Sequence, residues 1–314
     1  MLHWASLAGA LALVVLAEAG AGGRAQRSSW STPGPDSRGP GMAAGQTAAT
    51  QHVSVADMDV AYRVLGQGEP LLLITGLGAT IDIWDPTLLA ELAAHYTVVV
   101  FDNRGMGGTT APPGELSIEQ LADDAEGLLR ALGFDQAHVL GYSMGGYDAQ
   151  ELALKYPQRV TRMVLMGTGC GGAEGIPPRP EVVRALTDLS GSLAEVLQRV
   201  ISVLVPEDWS RAHRAYLESI LTRPPAAPSP ESIARQQRAM DSWRGTCERL
   251  PQVSRPTLVL SGTEDQVLAP ANAILLASRI PGAWLAQFPG GGHGMQYQYP
   301  EQIAATIRTF LEAP

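Results

Sequence analysis

Leu140-Gly141-Tyr142-Ser143-Met144-Gly145-Gly146 is the stretch on which the reading of this chain turns. It follows a short apolar run ending near Leu140. It precedes a segment in which Ala149, Leu152, Ala153 and Tyr156 recur at i, i+3, i+4 and i+7. A strand, a tight turn and a helix are expected in that order, with G-x-S-x-G at the turn. The glycines have a mechanical reason. A serine held in a strained turn has backbone packed close on both sides, so the positions two before and two after it must lack bulky side chains. The strain lifts the hydroxyl clear of the sheet and sets it at the positive end of the following helix. Alone, the pattern is short enough to arise by chance; between a strand and a helix it marks Ser143 as a nucleophile.

Outward from this turn, short apolar runs alternate with helical patterns. His52 to Val55 and Val60 to Leu65 flank Asp57-Met58 as an opening hairpin. Leu71 to Thr75, Val98 to Asp102, His138 to Gly141, Met163 to Met166, Thr257 to Ser261 and Trp284 to Phe288 follow. Continuous apolar runs of this length are what parallel strands covered on both faces require. The last helical pattern, Gln302 to Leu311, places Ile303, Ile307, Phe310 and Leu311 on one face. The alternation predicts an α/β fold: a mostly parallel, doubly wound sheet with right-handed crossovers.

Gly171 to about Leu250 breaks the rhythm, with helical patterns and no convincing strand. It carries as many arginines as acidic residues, so the rest of the chain holds the whole net charge. Pro177-Pro178, Pro180 and Pro224-Pro225 cut it into several helices. The expected division is a core from 51–170 and 251–314 with an all-helical cap, or lid, from 171–250. Within the cap, Val182, Leu186, Leu189, Val196, Leu197, Val200, Ile201 and Leu204 either line an acyl pocket or pack on the core, and packing is the simpler reading for most.

Composition excludes more than it identifies. Apolar residues make up 45% of the 314 and charged residues 17%, which suits a buried core. Net charge is −9, from 31 acidic against 22 basic side chains, and no run of Lys or Arg offers nucleic acid a basic face. No H-E-x-x-H, carboxylate cluster or phosphate-binding loop is present, so no metal or cofactor is expected. Residues 1–50 read as a signal-like segment and a Ser-, Pro- and Gly-rich linker. The apolar run Leu7 to Ala17 is too short to span a bilayer comfortably, and stable membrane insertion is not expected after processing. Export follows if residues 1–23 are a signal peptide; a cytoplasmic location follows if translation starts at Met42. Cys170 follows the strand leading into the cap and Cys247 precedes the strand leaving it. A bridge needs those strands to be neighbours, and two free thiols are the expectation.

A serine hydroxyl needs a base. Of six histidines, His3 lies in the N-terminal segment, and His52 and His138 begin strands, at the sheet edge opposite the nucleophile in the case of His138. His95 closes a helix as a cation favouring its dipole, and His213 sits among arginines in the cap. His293, in Gly290-Gly291-Gly292-His293-Gly294, lies just past the last strand and is the base. Asp265, reached from Thr257 to Ser261 through Gly262-Thr263-Glu264, is the carboxylate that orients it; Glu264 is the neighbour it must be distinguished from. The oxyanion needs two fixed donors, assigned to the backbone N–H groups of Met144 and Leu77.

These motifs, with Ile74-Thr75-Gly76-Leu77-Gly78 and Asp102-Asn103-Arg104-Gly105-Met106-Gly107, resemble the α/β-hydrolases with a helical cap from about residue 52 onward. The family often has His-Gly where this chain has Thr75-Gly76, and its Asp102–Gly107 equivalent is a structural turn. The resemblance extends to carboxylesterases, enol-lactonases and cofactor-free haloperoxidases. Epoxide hydrolases and haloalkane dehalogenases use an aspartate where this chain has Ser143. The resemblance implies a serine hydrolase acting on a small-molecule ester or lactone through an acyl-enzyme. Acyl transfer or perhydrolysis, carbon–carbon hydrolysis and aminopeptidase activity use the same residues, and a non-catalytic binding protein is the alternative of another class. Oligomeric state stays open.

Overall fold

The computed structural model describes residues 48–188, 190–221 and 229–314. The signal-like segment, Met42, Leu189 and Pro224-Pro225 lie outside them. The eight expected strands form one sheet: β1 (Gln51–Val55), β2 (Met58–Leu65), β3 (Glu69–Ile74), β4 (Tyr96–Phe101), β5 (Ala137–Tyr142), β6 (Val160–Met166), β7 (Thr257–Gly262) and β8 (Trp284–Phe288). Their spatial order is β1-β2-β4-β3-β5-β6-β7-β8. β1 and β2 make the opening hairpin and β2 runs antiparallel to β4, while every other pairing is parallel.

Alternation along each strand explains the unbroken apolar runs. Leu72 and Ile74 join Val99, Val139 and Val259 against α2 (Ile118–Ala131), α3 (Met144–Lys155) and α9 (Pro270–Arg279). Leu71 and Leu73 join Val98, Val100, Leu140 and Leu258 on the opposite face, against α1 (Pro86–Ala93) and α11 (Pro300–Leu311). Both faces are covered, so the strand interiors are largely apolar; each fully buried aliphatic side chain contributes about 1.5–3 kcal/mol. Helix starts are encoded locally. The Ser117 hydroxyl accepts from Gln120 N–H at 3.1 Å, and proline occupies the first turn of α1, α9 and α11.

Between β6 and β7 the described chain holds α4 (Pro180–Thr187), α5 (Leu193–Leu204), α6 (Glu207–Ala212), α7 (Arg214–Leu221) and α8 (Pro230–Ser242). Ser192 and Glu195 form a capping box at the start of α5. Val182, Leu186, Leu197, Val200, Ile201 and Leu204 are buried in one cluster with Leu77 and Met144, which flank the turn at Gly76 and Ser143.

The cysteines correct an expectation. Cys170 and Cys247 form a disulfide with their Cα atoms 5.0 Å apart, rather than two free thiols. β6 and β7 are adjacent, and Thr246 N–H donates to Cys170 O at 2.8 Å, so the outgoing and returning chains run side by side. Gln150 on α3 adds a polar knot: it donates to Gly169 O at 2.8 Å and accepts from the Thr246 hydroxyl at 2.6 Å.

Candidate active site

Strand order determines which loops meet. β3 is flanked by β4 and β5, so the chain reverses its winding there, and crevices form at such switch points beyond the carboxyl ends of strands. Ile74 pairs with Gly141, which brings the loop after β3 alongside the turn after β5. A Cβ added at Gly76 meets Ser143 Cβ at 3.0 Å. Ser143 has φ 56° and ψ −121°, outside the comfortable range of an L-residue, and is the N-cap of α3. Close packing enforces that strain: a Cβ at Gly141 comes within 2.2 Å of Gly145 O, and one at Gly145 within 2.2 Å of Ile74 O.

The same logic joins the other two side chains. Gly262 pairs with Phe288 at the ends of β7 and β8, and both chains then turn toward β5. His293 Nε2 lies 3.2 Å from Ser143 Oγ, and its Nδ1 lies 2.9 Å from Asp265 Oδ2. Asp265 is buried, and its Oδ1 accepts from Val267 N–H and Leu268 N–H, each at 2.8 Å, so the carboxylate cannot rotate away from the imidazole. Glu264 is exposed and stays out of the constellation. Met144 N–H opens α3 directly after Ser143, and Leu77 follows Gly76 in the loop against it.

Several supporting groups were not anticipated. Tyr142 stacks on His293, with ring centroids 5.2 Å apart, and its hydroxyl donates to His293 O at 3.1 Å. Complete burial pushes that phenol well above its ordinary range, so it stays a donor. Gly294 N–H donates to Leu204 O at 2.7 Å, anchoring the histidine loop to the end of α5. Tyr142 occupies a free position of G-x-S-x-G, where the motif says nothing about side-chain type. Leu204 meets the loop only through its carbonyl, which leaves no signature in sequence.

The remaining described histidines go elsewhere. His138 lies between Glu69 (3.0 Å) and the Thr161 hydroxyl (2.7 Å), and burial lowers its pKa. His213 is exposed and stacks on Trp209. His95 sits just beyond the end of α1, with its Nε2 2.8 Å from Arg308 Nη1. Asp102 accepts from Ile81 N–H at 2.7 Å and Gly108 N–H at 2.8 Å, knitting two loops together.

A cavity of about 410 Å³ opens between the two chain passages that connect core and cap, lined by Tyr147, Ile176, Met240, Trp243, Leu268 and Asn272. It begins one helical turn beyond Ser143, although neither Ser143 nor His293 lines it. Among the described residues no group of three or more His, Cys, Asp or Glu is placed to hold a metal ion, and no helix is long and apolar enough to cross a membrane.

Comparison with known proteins agrees with this geometry. The family model for the alpha/beta hydrolase fold matches residues 69–300. A protein named putative carbamate hydrolase RutD from Pantoea ananatis is 32% identical over 258 residues, covering 80% of this chain and 92% of its own. The 2-hydroxy-6-oxononadienedioate/2-hydroxy-6-oxononatrienedioate hydrolase 2 of Pseudomonas putida is 30% identical over 267 residues, covering 82% and 92%. The crystal structure of the enol-lactonase from Burkholderia xenovorans LB400 matches with a TM-score of 0.72 at 26% identity, covering 84% of this chain and 100% of that one. The chain belongs to the α/β-hydrolase family and is a hydrolase of that fold.

Proposed function

We propose that this hydrolase cleaves a carboxylic ester or lactone through an acyl-enzyme on Ser143. The observation that carries the reading is the hydrogen-bonded chain Ser143–His293–Asp265, with separations of 3.2 and 2.9 Å. As Ser143 Oγ attacks the substrate carbonyl carbon, its proton passes to His293 Nε2. Asp265 holds the Nδ1–H and stabilises the imidazolium. The carbonyl oxygen becomes an oxyanion facing the N–H groups of Leu77 and Met144, reinforced by the positive end of α3. His293 then gives its proton to the departing alkoxide, leaving an ester on Ser143. Water, deprotonated by the same imidazole, attacks that ester and releases the acid. Segment 171–250 acts as the lid over this centre, and its apolar contacts with Leu77 and Met144 support an apolar acyl side for the substrate.

The relatives are named for different substrates, a carbamate, an oxo-dienedioate and an enol-lactone, which supports hydrolysis more than any one substrate. Carbon–carbon hydrolysis is the second reading, favoured by the Pseudomonas putida relative. The Cys170–Cys247 bridge suits an oxidising compartment and, of the two readings of the N-terminal segment, favours export.

A fluorophosphonate probe and a panel of p-nitrophenyl esters, lactones and a ring-fission diketone test the assignment. Wild type is expected to label at Ser143 and to turn over a short-chain ester, and Ser143→Ala to lose both while keeping its Tm. Full activity in Ser143→Ala rejects the nucleophile. Labelling without turnover of any ester or lactone, but with cleavage of the diketone, moves the substrate to the second reading. A chain that neither labels nor turns over any panel member overturns the serine-hydrolase reading.

A further inference from the structure

Lid helix α8 presents Ile233, Gln236 and Ala239 on one face, all buried. A glutamine in that stripe is anomalous, because burying a carboxamide among apolar side chains is costly unless it is hydrogen-bonded. Among the described residues its one hydrogen bond runs to the loop beside the nucleophile: Gly78 N–H donates to Gln236 Oε1 at 2.8 Å, across 158 residues of sequence. A backbone N–H only donates, so the oxygen must face it. The Nε2 atom, buried, then has no partner among the described residues. A side chain that leaves a donor unsatisfied to make one bond is placed for that bond.

The loop's geometry gives the bond its meaning. Ala79 N–H donates to Gly76 O at 3.3 Å, closing a turn with Leu77 and Gly78 at its centre, and Gly78 has φ +67°. Positive φ at that place is the mark of a type II turn, whose central peptide can flip to the type I orientation. The Gln236 oxygen grips the N–H of that central peptide. The adjoining peptide carries the Leu77 N–H.

We propose that Gln236 is a positioning residue, which holds the Leu77–Gly78 peptide so that Leu77 N–H faces the oxyanion, making the oxyanion hole complete only while α8 is docked. The proposal rests on the serine-hydrolase reading above. Gln236→Met keeps the length and shape of the side chain and removes the acceptor.

Expected for Gln236→Met are a kcat lowered about 10–100-fold with KM nearly unchanged, and a matching loss of affinity for a trifluoromethyl ketone, which forms a tetrahedral adduct. Affinity for the product acid and Tm should hold, and Gly78 amide exchange should accelerate. A merely structural role would move Tm and KM together. Unchanged kcat and ketone affinity in folded Gln236→Met overturn the proposal while leaving Ser143 labelling intact. Failure of Ser143 itself shows separately, as wild-type protein that does not take up fluorophosphonate, and the proposal then falls with it. Should the variant not fold, exchange in the wild type decides: a protected Gly78 N–H supports the bond, and a fast-exchanging one overturns it.

Discussion

Asp102 and Asp148 carry the same carboxyl group into the interior under opposite terms. Asp102 has a backbone N–H on each oxygen, yet burial outweighs those bonds and raises its pKa to about 6. Asp148, fully buried on α3, has no partner for either oxygen among the described residues. Burial first, then the charges of Asp124 and Glu151, hold its carboxyl well above the usual range. The folded protein therefore binds this proton more tightly than the unfolded chain. The stability involved is fully present below the unfolded pKa and is lost as pH rises through the folded one. Asp148→Asn, isosteric with the protonated acid, should raise Tm in alkaline buffer by about 2–4 °C per kcal/mol recovered. The difference from wild type should shrink toward pH 4, and a difference independent of pH would refute the account. Asp265→Asn belongs to the same scale: the amide favours the wrong imidazole tautomer, so kcat should fall on the order of 10³–10⁴-fold with little change in Tm. That Ser143, Asp265 and His293 would meet was legible because each sits in a short motif at the end of a strand. Gln236 was not, because its meaning lies in a backbone N–H distant in sequence.

The strand–turn–helix around Ser143 works because three pieces of backbone approach closely. Gly145→Ala places a methyl 2.2 Å from Ile74 O and 2.6 Å from Thr75 O, both main-chain atoms that cannot swing aside. The end of β3 must shift, at a cost of about 1–3 kcal/mol. The loop carrying Leu77 begins there, so kcat should fall together with Tm, and a variant that loses stability alone would separate the two. At this scale the sequence was informative for a physical reason: central strands covered on both faces are largely apolar, and β3 to β7 appear as such runs, while the half-exposed β1, β2 and β8 carry polar residues between apolar ones. Their boundaries were less legible. β3 starts at Glu69, ahead of the apolar run, because ladder pairing with Tyr96 extends past the hydrophobic residues.

At the scale of the molecule, the described segment between β6 and β7 is tied to the rest of the chain by contacts of several kinds. Beyond the apolar interface, Tyr216 on α7 donates to Asp85 at the start of α1, Trp243 Nε1 donates to Glu151 at 2.7 Å, and Arg249 grips the same carboxylate. The disulfide is the strongest of these ties. With its cysteines separated by 77 positions, the chain-entropy argument gives about 4.5 kcal/mol of stabilisation. Reduction, or the double substitution Cys170→Ser with Cys247→Ser, should lower Tm by up to about 10 °C. Melting curves with and without reductant measure it, and equal curves would deny the bridge any weight. Two cysteines in a long chain could not be paired from spacing alone, since pairing depends on β6 and β7 lying side by side.

The same bond makes the stretch from residue 170 to residue 247 a closed covalent ring. A protease that nicks it anywhere leaves both fragments tethered, migrating as one species on a non-reducing gel and parting only when thiol is added. If segment 171–250 is the proposed lid, a cut one stays tethered, and nicked enzyme is expected to keep turning over until it meets a reductant.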